Sequence, residues 1–151
     1  MASKSSFFIG LHNIVTDKKE WKQLLFYDID RNEHFSNTVK KFVSKFASEK
    51  KLSYIIYKTK HGFHVIYLTP MSAAKWGEYF EAHKKKFKGY YSGHTIRMSR
   101  KKKEIQTLVS YSTRAPAVYP LCTIYEKRFK IKFDKTIKMA AVYENYPSRN
   151  L

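Results

Sequence analysis

The sequence predicts an α+β fold, with a four-stranded antiparallel sheet and two helices on one face of that sheet. Short β-branched and aromatic runs alternate with two segments whose apolar residues recur at helical spacing. The resulting order, β-α-β-β-α-β, places both helices on the same face. The length of 151 residues fits one domain, and a hydrophobic fraction of 43% excludes an intrinsically disordered chain.

The first strand and the first helix of this core are adjacent in the sequence. Residues 24–30 (LLFYDID) form a short apolar run that ends in acids, which predicts a buried strand. A helix is predicted over about residues 34–50, with Asn32 or Ser36 capping its first turn. The apolar residues that recur at helical spacing are Val39, Phe42, Val43 and Phe46.

A β-hairpin is predicted after this helix. Residues 52–58 (LSYIIYK) and 63–68 (FHVIYL) are both rich in β-branched and aromatic side chains, and only residues 59–62 (TKHG) separate them. A short, glycine-containing connection between two such runs is typical of a hairpin.

A second helix and a fourth strand complete the core. Pro70 is expected to end the preceding strand and Ser72 to cap the helix, and residues 94–99 (HTIRMS) are the fourth strand. This RRM-like core covers about residues 22–100 of a single domain, and a C-terminal extension, about 104–151, carries further short strands. The sheet face opposite the helices is predicted to be free.

The remaining segments are less regular in pattern. Residues 105–111 fit either a helix or a strand, and residues 137–143 are apolar and equally ambiguous. Residues 121–125 and 129–133 alternate like strands, and residues 7–15 are a further candidate strand.

The net charge of +18, from 30 Lys and Arg against 12 Asp and Glu, predicts a polyanionic partner, most often DNA or RNA. Between Lys84 and Lys103 there are nine basic residues and no acid. Basic side chains beside aromatic ones can hold a phosphate backbone and stack a base. The alternatives are an anionic membrane surface as the partner, or a solvated helix end and loop without one. The candidate nucleic-acid contacts are Lys84, Lys85, Lys86, Lys88, Tyr90, Tyr91, Arg100, Lys101, Lys102 and Lys103.

The cysteine content and the hydropathy bear on the cellular compartment. One cysteine, Cys122, excludes an intramolecular disulfide framework and a zinc site with several cysteines. No apolar run approaches the ~20 residues of a membrane span, and the N-terminal apolar stretch is too short for a secretory signal. We therefore expect a cytoplasmic protein without a membrane partner.

Two carboxylates occur together at the end of the first predicted strand. Asp28 and Asp30 are two of only four aspartates in the chain, and alternation along a strand places both on one face. Carboxylate oxygens are the ligands that Mg²⁺ and Mn²⁺ prefer, and nucleotidyl transfer uses such ions. The alternative is that the two aspartates cap a turn and the following helix.

Two histidines lie around the turn of the predicted hairpin. His64 opens a strand beside the one that carries the aspartates, where it could contact a nucleotide phosphate, and His61 lies in the turn itself. The alternatives are a solvated His61 and a hydrogen-bonded sheet residue at His64. A nicking endonuclease with a tyrosine nucleophile uses a His-x-His pair, whereas these histidines are three apart and would face opposite sides of a regular strand.

The combination of motifs is more specific than each motif alone. The strand ending in Asp28-Ile29-Asp30 precedes residues 57–65 (YKTKHGFHV), a helix with Trp76 and a strand with Arg97. This combination resembles the catalytic core of the archaeo-eukaryotic primase superfamily, which includes the primase-polymerases of archaeal plasmids and viruses. The resemblance covers roughly residues 22–100. It implies a DNA replication protein with primase or polymerase activity, which binds nucleotides and associates with other replication proteins or with further copies of itself.

The resemblance also implies roles for individual residues. Asp28 and Asp30 correspond to the ligands of Mg²⁺ or Mn²⁺, and together with His64 they correspond to the catalytic residues. The residues that the resemblance places around the nucleotide are Thr59, His61, Gly62 and Arg97.

The third acidic motif of that superfamily has no counterpart at the expected place. Between the hairpin and Arg97 the only acids are Glu78 and Glu81, on the predicted helix, and Asp134 comes much later. Loss of a third carboxylate would weaken a two-metal site. The hypotheses are therefore a metal-dependent nucleotidyltransferase, a catalytically inactive DNA- or RNA-binding module on the same fold, and a rolling-circle-type nicking initiator.

Overall fold

The computed structural model describes eight ranges of the chain, which are residues 5–17, 20–30, 35–59, 61–87, 96–99, 101–111, 118–133 and 139–145. The elements in chain order are β1 (Ser5–His12), β2 (Ile14–Asp17), β3 (Glu20–Ile29), α1 (Ser36–Lys50), β4 (Tyr54–Lys58), β5 (Phe63–Met71), α2 (Ala73–Lys86), β6 (Ile96–Met98), β7 (Gln106–Tyr111), α3 (Val118–Phe129) and β8 (Met139–Asn145). The α+β class and the β-α-β-β-α-β order are confirmed, and β3, α1, β4, β5, α2 and β6 carry that order.

The strands form two antiparallel sheets. The first has the order β2-β3-β5-β4 and the second the order β6-β7-β1-β8. β6 therefore pairs with β7, whereas we expected it in the sheet of β3, and β2 occupies the place beside β3. Both pairings are local, because only two residues separate β2 from β3 and a short turn joins β6 to β7.

Both helices pack on the same face of the first sheet, as predicted. In α1 and α2 the buried residues recur at helical spacing and meet alternate residues of β3 and β5. The main contributors are Leu25, Tyr27, Ile29, Val39, Val43, Phe46, Val65, Tyr67, Trp76, Tyr79 and Phe80.

The starts of the two helices differ. At α2 the Ser72 hydroxyl accepts the Lys75 N–H at 3.3 Å, so the predicted cap is confirmed. At α1 the cap position is Phe35, without a side-chain hydrogen bond, and Ser36 is already helical; Asn32 lies outside the described residues. Within the described ranges, none of the helices is both long and apolar enough to cross a bilayer.

The face of the first sheet opposite the helices is covered over much of its area, so the prediction of a free face is wrong there. Alternate residues of β3 and β5 are fully buried against the second sheet and α3. This second core includes Leu11, Leu24, Phe26, Ile66, Leu68, Ile96, Leu108, Leu121 and Tyr125. This face is covered because β1 of the second sheet continues directly into β2 of the first, which connects the two sheets.

The C-terminal half differs from expectation in two segments. Residues 106–111 and 139–145 are strands, which resolves two ambiguous segments, and β1 and β2 confirm the N-terminal strand. Residues 121–125, predicted as a strand, belong to α3, where Leu121, Cys122 and Tyr125 are buried at helical spacing. In residues 129–133 the strand prediction is also wrong, apart from one isolated bridge between Phe133 and Val15.

Pro70 also departs from its predicted role. It lies inside β5, near the point where the register between β5 and β3 shifts, and does not end the strand. A proline lacks the N–H that a regular ladder uses, and an irregular register tolerates that loss.

Two buried amide side chains join the sheets. Asn13 lies between β1 and β2, and its Nδ2 donates to the carbonyls of Leu24 at 2.7 Å and Glu104 at 2.9 Å. Its Oδ1 accepts the N–H of Gln106 at 2.8 Å, and the Gln106 side chain bonds to the backbone of Phe26. Because buried polar groups are costly when unpaired, this network fixes the arrangement of β1, β3 and β7.

Candidate functional site: a basic surface and a buried acid–histidine pair

Seven of the predicted basic contacts lie exposed on the described part of the chain. Lys84, Lys85 and Lys86 form the last turn of α2, Arg97 lies on β6, and Lys101, Lys102 and Lys103 lie in the turn between β6 and β7. Positive charges in the last turn of a helix complement its dipole, which gives residues 84–86 a structural role as well. The lysines of the β6–β7 turn have no such role. The predicted contacts Lys88, Tyr90, Tyr91 and Arg100 lie outside the described residues.

Asp28 and His64 face each other across β3 and β5. The two residues are directly opposite in the antiparallel register, and Nε2 of His64 lies 3.4 Å from Oδ1 of Asp28. The side chains are 2% and 13% exposed for Asp28 and His64 respectively. The prediction that His64 lies beside the strand of the aspartates is confirmed. A carboxylate in this position can orient an imidazole through a hydrogen bond.

Tyr57 extends this pair into a row across three strands. It is opposite His64 in the register of β4 and β5, so the three side chains share one face of the sheet. Burial raises the pKa of the Tyr57 hydroxyl, which keeps it protonated as a potential donor.

Asp30 differs from Asp28 in its surroundings. It follows the last residue of β3 and is exposed, whereas Asp28 is buried. Within the described ranges, no group of three or more His, Cys, Asp and Glu side chains could hold a metal ion. Magnesium is often bound by one or two carboxylates together with water and substrate phosphates, so two aspartates at the end of one strand fit that chemistry in residue type and number.

Thr59, His61 and Gly62, three of the other predicted nucleotide contacts, lie in the hairpin turn. The Thr59 N–H donates to the Gly62 carbonyl at 2.8 Å and closes the turn, as the sequence predicts. His61 is exposed in this turn, whereas His64 is largely buried beside Asp28. The structure therefore brings His64 and Asp28 together but leaves His61 facing solvent.

One surface residue was not among the sequence candidates. Trp21 is 52% exposed, and the ammonium of Lys102 lies 5.5 Å from the centroid of its ring. The sequence does carry a signal for an exposed Trp21. It lies inside the charged run DKKEWK, residues 17–22, which has no apolar periodicity that would predict a core position.

Comparison of the chain with models of known protein families, with curated proteins and with solved structures finds no match. The resemblance to the primase superfamily therefore rests on the motifs in residues 22–100 and stays a prediction.

Proposed function

We propose that this protein binds nucleic acid through the exposed lysines of residues 84–86 and 101–103. The observation that carries this proposal is the exposure of both lysine groups on a chain with a net charge of +18. Lysines that contact phosphates release condensed counterions, and this release supplies most of the affinity for a charged polymer. The dipole of α2 accounts for Lys84, Lys85 and Lys86 but not for the lysines of the β6–β7 turn.

A test compares two triple variants of equal charge. Lys101→Gln/Lys102→Gln/Lys103→Gln alters the β6–β7 turn, and Lys40→Gln/Lys41→Gln/Lys45→Gln alters exposed lysines of α1. We expect the first variant to weaken binding to DNA and to RNA and to reduce the salt slope by about one for each lysine that contacts a phosphate. The α1 variant should bind nearly as wild type. Equal weakening by both variants would show that net charge alone, and not this surface, determines binding.

Metal-dependent nucleotidyl transfer, as in a DNA primase or polymerase, is the second candidate function. The observation that favours it is the direct pairing of Asp28 with His64, since the resemblance places a metal ligand and a phosphate contact at these positions. Asp28 and Asp30 would hold Mg²⁺ or Mn²⁺, which would neutralise the phosphates of the nucleotide. The structural alternative is that Asp28 and His64 form only a polar contact that joins β3 to β5.

Nucleotide incorporation separates the two candidates. Wild-type protein with Mn²⁺ or Mg²⁺, nucleotides and primed or unprimed templates should extend a strand, and Asp28→Asn/Asp30→Asn should abolish extension while DNA binding persists. Glu49→Gln is the matched control, because Glu49 is an exposed carboxylate on α1 with no predicted role in the site. Wild-type protein that binds DNA but incorporates nothing on any template would leave binding as the function.

A further inference from the structure

Trp21 is exposed in a way that the packing of the protein does not explain. Its side chain is 52% exposed, whereas that of Trp76 is 4% exposed in the core. A single exposed apolar residue is common on protein surfaces. The exposure of Trp21 alone therefore does not indicate a binding site.

The basic β6–β7 turn lies beside the indole of Trp21. The ammonium of Lys102 lies 5.5 Å from the centroid of the Trp21 ring, at a distance suited to a cation–π contact. Lys101 and Lys103, next to it, are exposed. An aromatic ring and three lysines thus share one part of the surface.

The turn that carries these lysines is held by its own hydrogen bonds. The Ser99 N–H donates to the Ile105 carbonyl at 2.8 Å, and the Ile105 N–H donates to the Lys102 carbonyl at 2.9 Å. The Ser99 hydroxyl accepts the Lys102 N–H at 3.3 Å. These bonds fix the backbone from which the lysines project.

Asn13 joins this turn to the strand that carries Trp21. Its Nδ2 donates to Glu104, at the end of the turn, and to Leu24, three residues after Trp21 in β3. The relative position of the indole and the lysines is therefore set by a buried side chain. A site arranged before binding loses less conformational entropy when its ligand arrives.

We propose that Trp21 stacks a base of single-stranded nucleic acid whose phosphates contact Lys101, Lys102 and Lys103. This proposal rests on the proposed function and names the form of nucleic acid that this surface takes. Bases in a duplex are already stacked on each other, whereas the bases of a single strand are free to stack on an aromatic ring. The lysines supply the charge that holds the backbone beside that ring.

The test uses oligothymidylate, the matching duplex and inorganic polyphosphate, with intrinsic tryptophan fluorescence and affinity as readouts. Since Trp76 is buried, quenching by a bound base should come from Trp21. We expect oligothymidylate to quench wild-type emission and polyphosphate to bind without quenching. In Trp21→Ala the quenching should vanish and affinity for oligothymidylate should fall roughly 5- to 150-fold, the range for loss of one stacked base. Trp21→Phe should recover part of that affinity, and duplex affinity should change little in either variant.

Distinct results overturn the two proposals. If Trp21→Ala binds oligothymidylate as tightly as wild type, or loses duplex affinity to the same extent, the stacking proposal is wrong while the proposed function stands. If neither the single strand nor the duplex binds to the wild-type protein, the proposed function fails as well. If emission responds to phosphatidylserine vesicles and not to oligothymidylate, Trp21 contacts lipid and the stacking proposal is wrong.

Discussion

The side-chain amide of Gln106 forms two hydrogen bonds with the backbone of Phe26. Its Oε1 accepts the Phe26 N–H at 2.8 Å, and its Nε2 donates to the Phe26 carbonyl at 2.7 Å. The same Oε1 also accepts the indole N–H of Trp76 at 3.2 Å. One buried side chain therefore satisfies polar groups of both the sheet and α2. It occupies the backbone N–H and carbonyl of Phe26, with which a further strand beside β3 could otherwise pair.

Replacement of Gln106 by Met should destabilise the protein by about 3 kcal/mol or more, because it leaves buried donors and an acceptor unpaired. Met has a similar length and no amide. Urea unfolding of both proteins measures the difference. Gln23→Met is the matched control, since Gln23 is also buried but its Oε1 has no hydrogen-bond partner among the described residues. An equal loss in both variants would show that the amide network of Gln106 has no special role.

His83 makes the stability of the fold depend on pH. Its ring is fully buried between α1, α2 and β5, and its Nδ1 donates to the Tyr79 carbonyl at 2.7 Å, so its Nε2 accepts the Tyr67 hydroxyl. Burial lowers the pKa of His83 from 6.5 to about 4, although the backbone hydrogen bond to Tyr79 opposes that shift. The folded protein therefore favours the neutral imidazole.

Between pH 6.5 and about 4 the unfolded chain takes up a proton at His83 that the folded chain excludes. The free energy of unfolding should consequently fall as the pH falls through this window. His83 should account for about 3 kcal/mol of that fall, and above pH 6.5 this loss of stability should be absent. Urea unfolding at a series of pH values measures the slope. His83→Leu should flatten it, whereas His61→Gln, altered in the exposed turn, should keep the wild-type slope. A wild-type slope in His83→Leu would assign the pH dependence to other groups.

Gly10 in β1 leaves room for Thr107 of the neighbouring strand. A Cβ at position 10 would collide with Cγ2 of Thr107. Gly10→Ala should therefore cost about 1–3 kcal/mol, the usual range for overpacking. Thr107→Ser removes Cγ2 and keeps the hydroxyl that bonds to Nδ1 of His12 at 2.9 Å, so it should rescue much of that loss in the double variant. Additive losses in a double-mutant cycle would contradict this contact.

Local patterns in the sequence predicted the elements around the acidic motif. Apolar spacing places α1 and the hairpin within a few residues of their observed bounds, because burial on one face is what that spacing reflects. The sequence also predicted that His64 opens the strand beside the one that carries the aspartates, whereas its direct contact with Asp28 depends on a register that only the structure shows.

Pairing between distant segments was not predictable in the same way. The Asn13 side chain bonds to the backbone of Gln106, 93 residues away, and the Gln106 side chain bonds to the backbone of Phe26, 80 residues away; neither contact follows a period in the sequence. In α3, residues 121–125 are a stretch short enough to fit either an alternating strand or one side of a helix. Trp21 and Lys102 likewise lie far apart in the sequence, and Asn13 joins the strand of one to the turn of the other.

The affinity of the wild-type protein for nucleic acid as a function of salt shows directly whether the exposed lysines contact phosphates. Fluorescence anisotropy of a labelled duplex, measured between about 50 and 200 mM salt, gives the slope of log K against log salt. If the exposed lysines of residues 84–86 and 101–103 contact phosphates, the slope should approach about −5, at about −0.9 per contact. A slope near zero, or no binding of either the duplex or labelled oligothymidylate at the lowest salt, would show that these lysines do not bind nucleic acid.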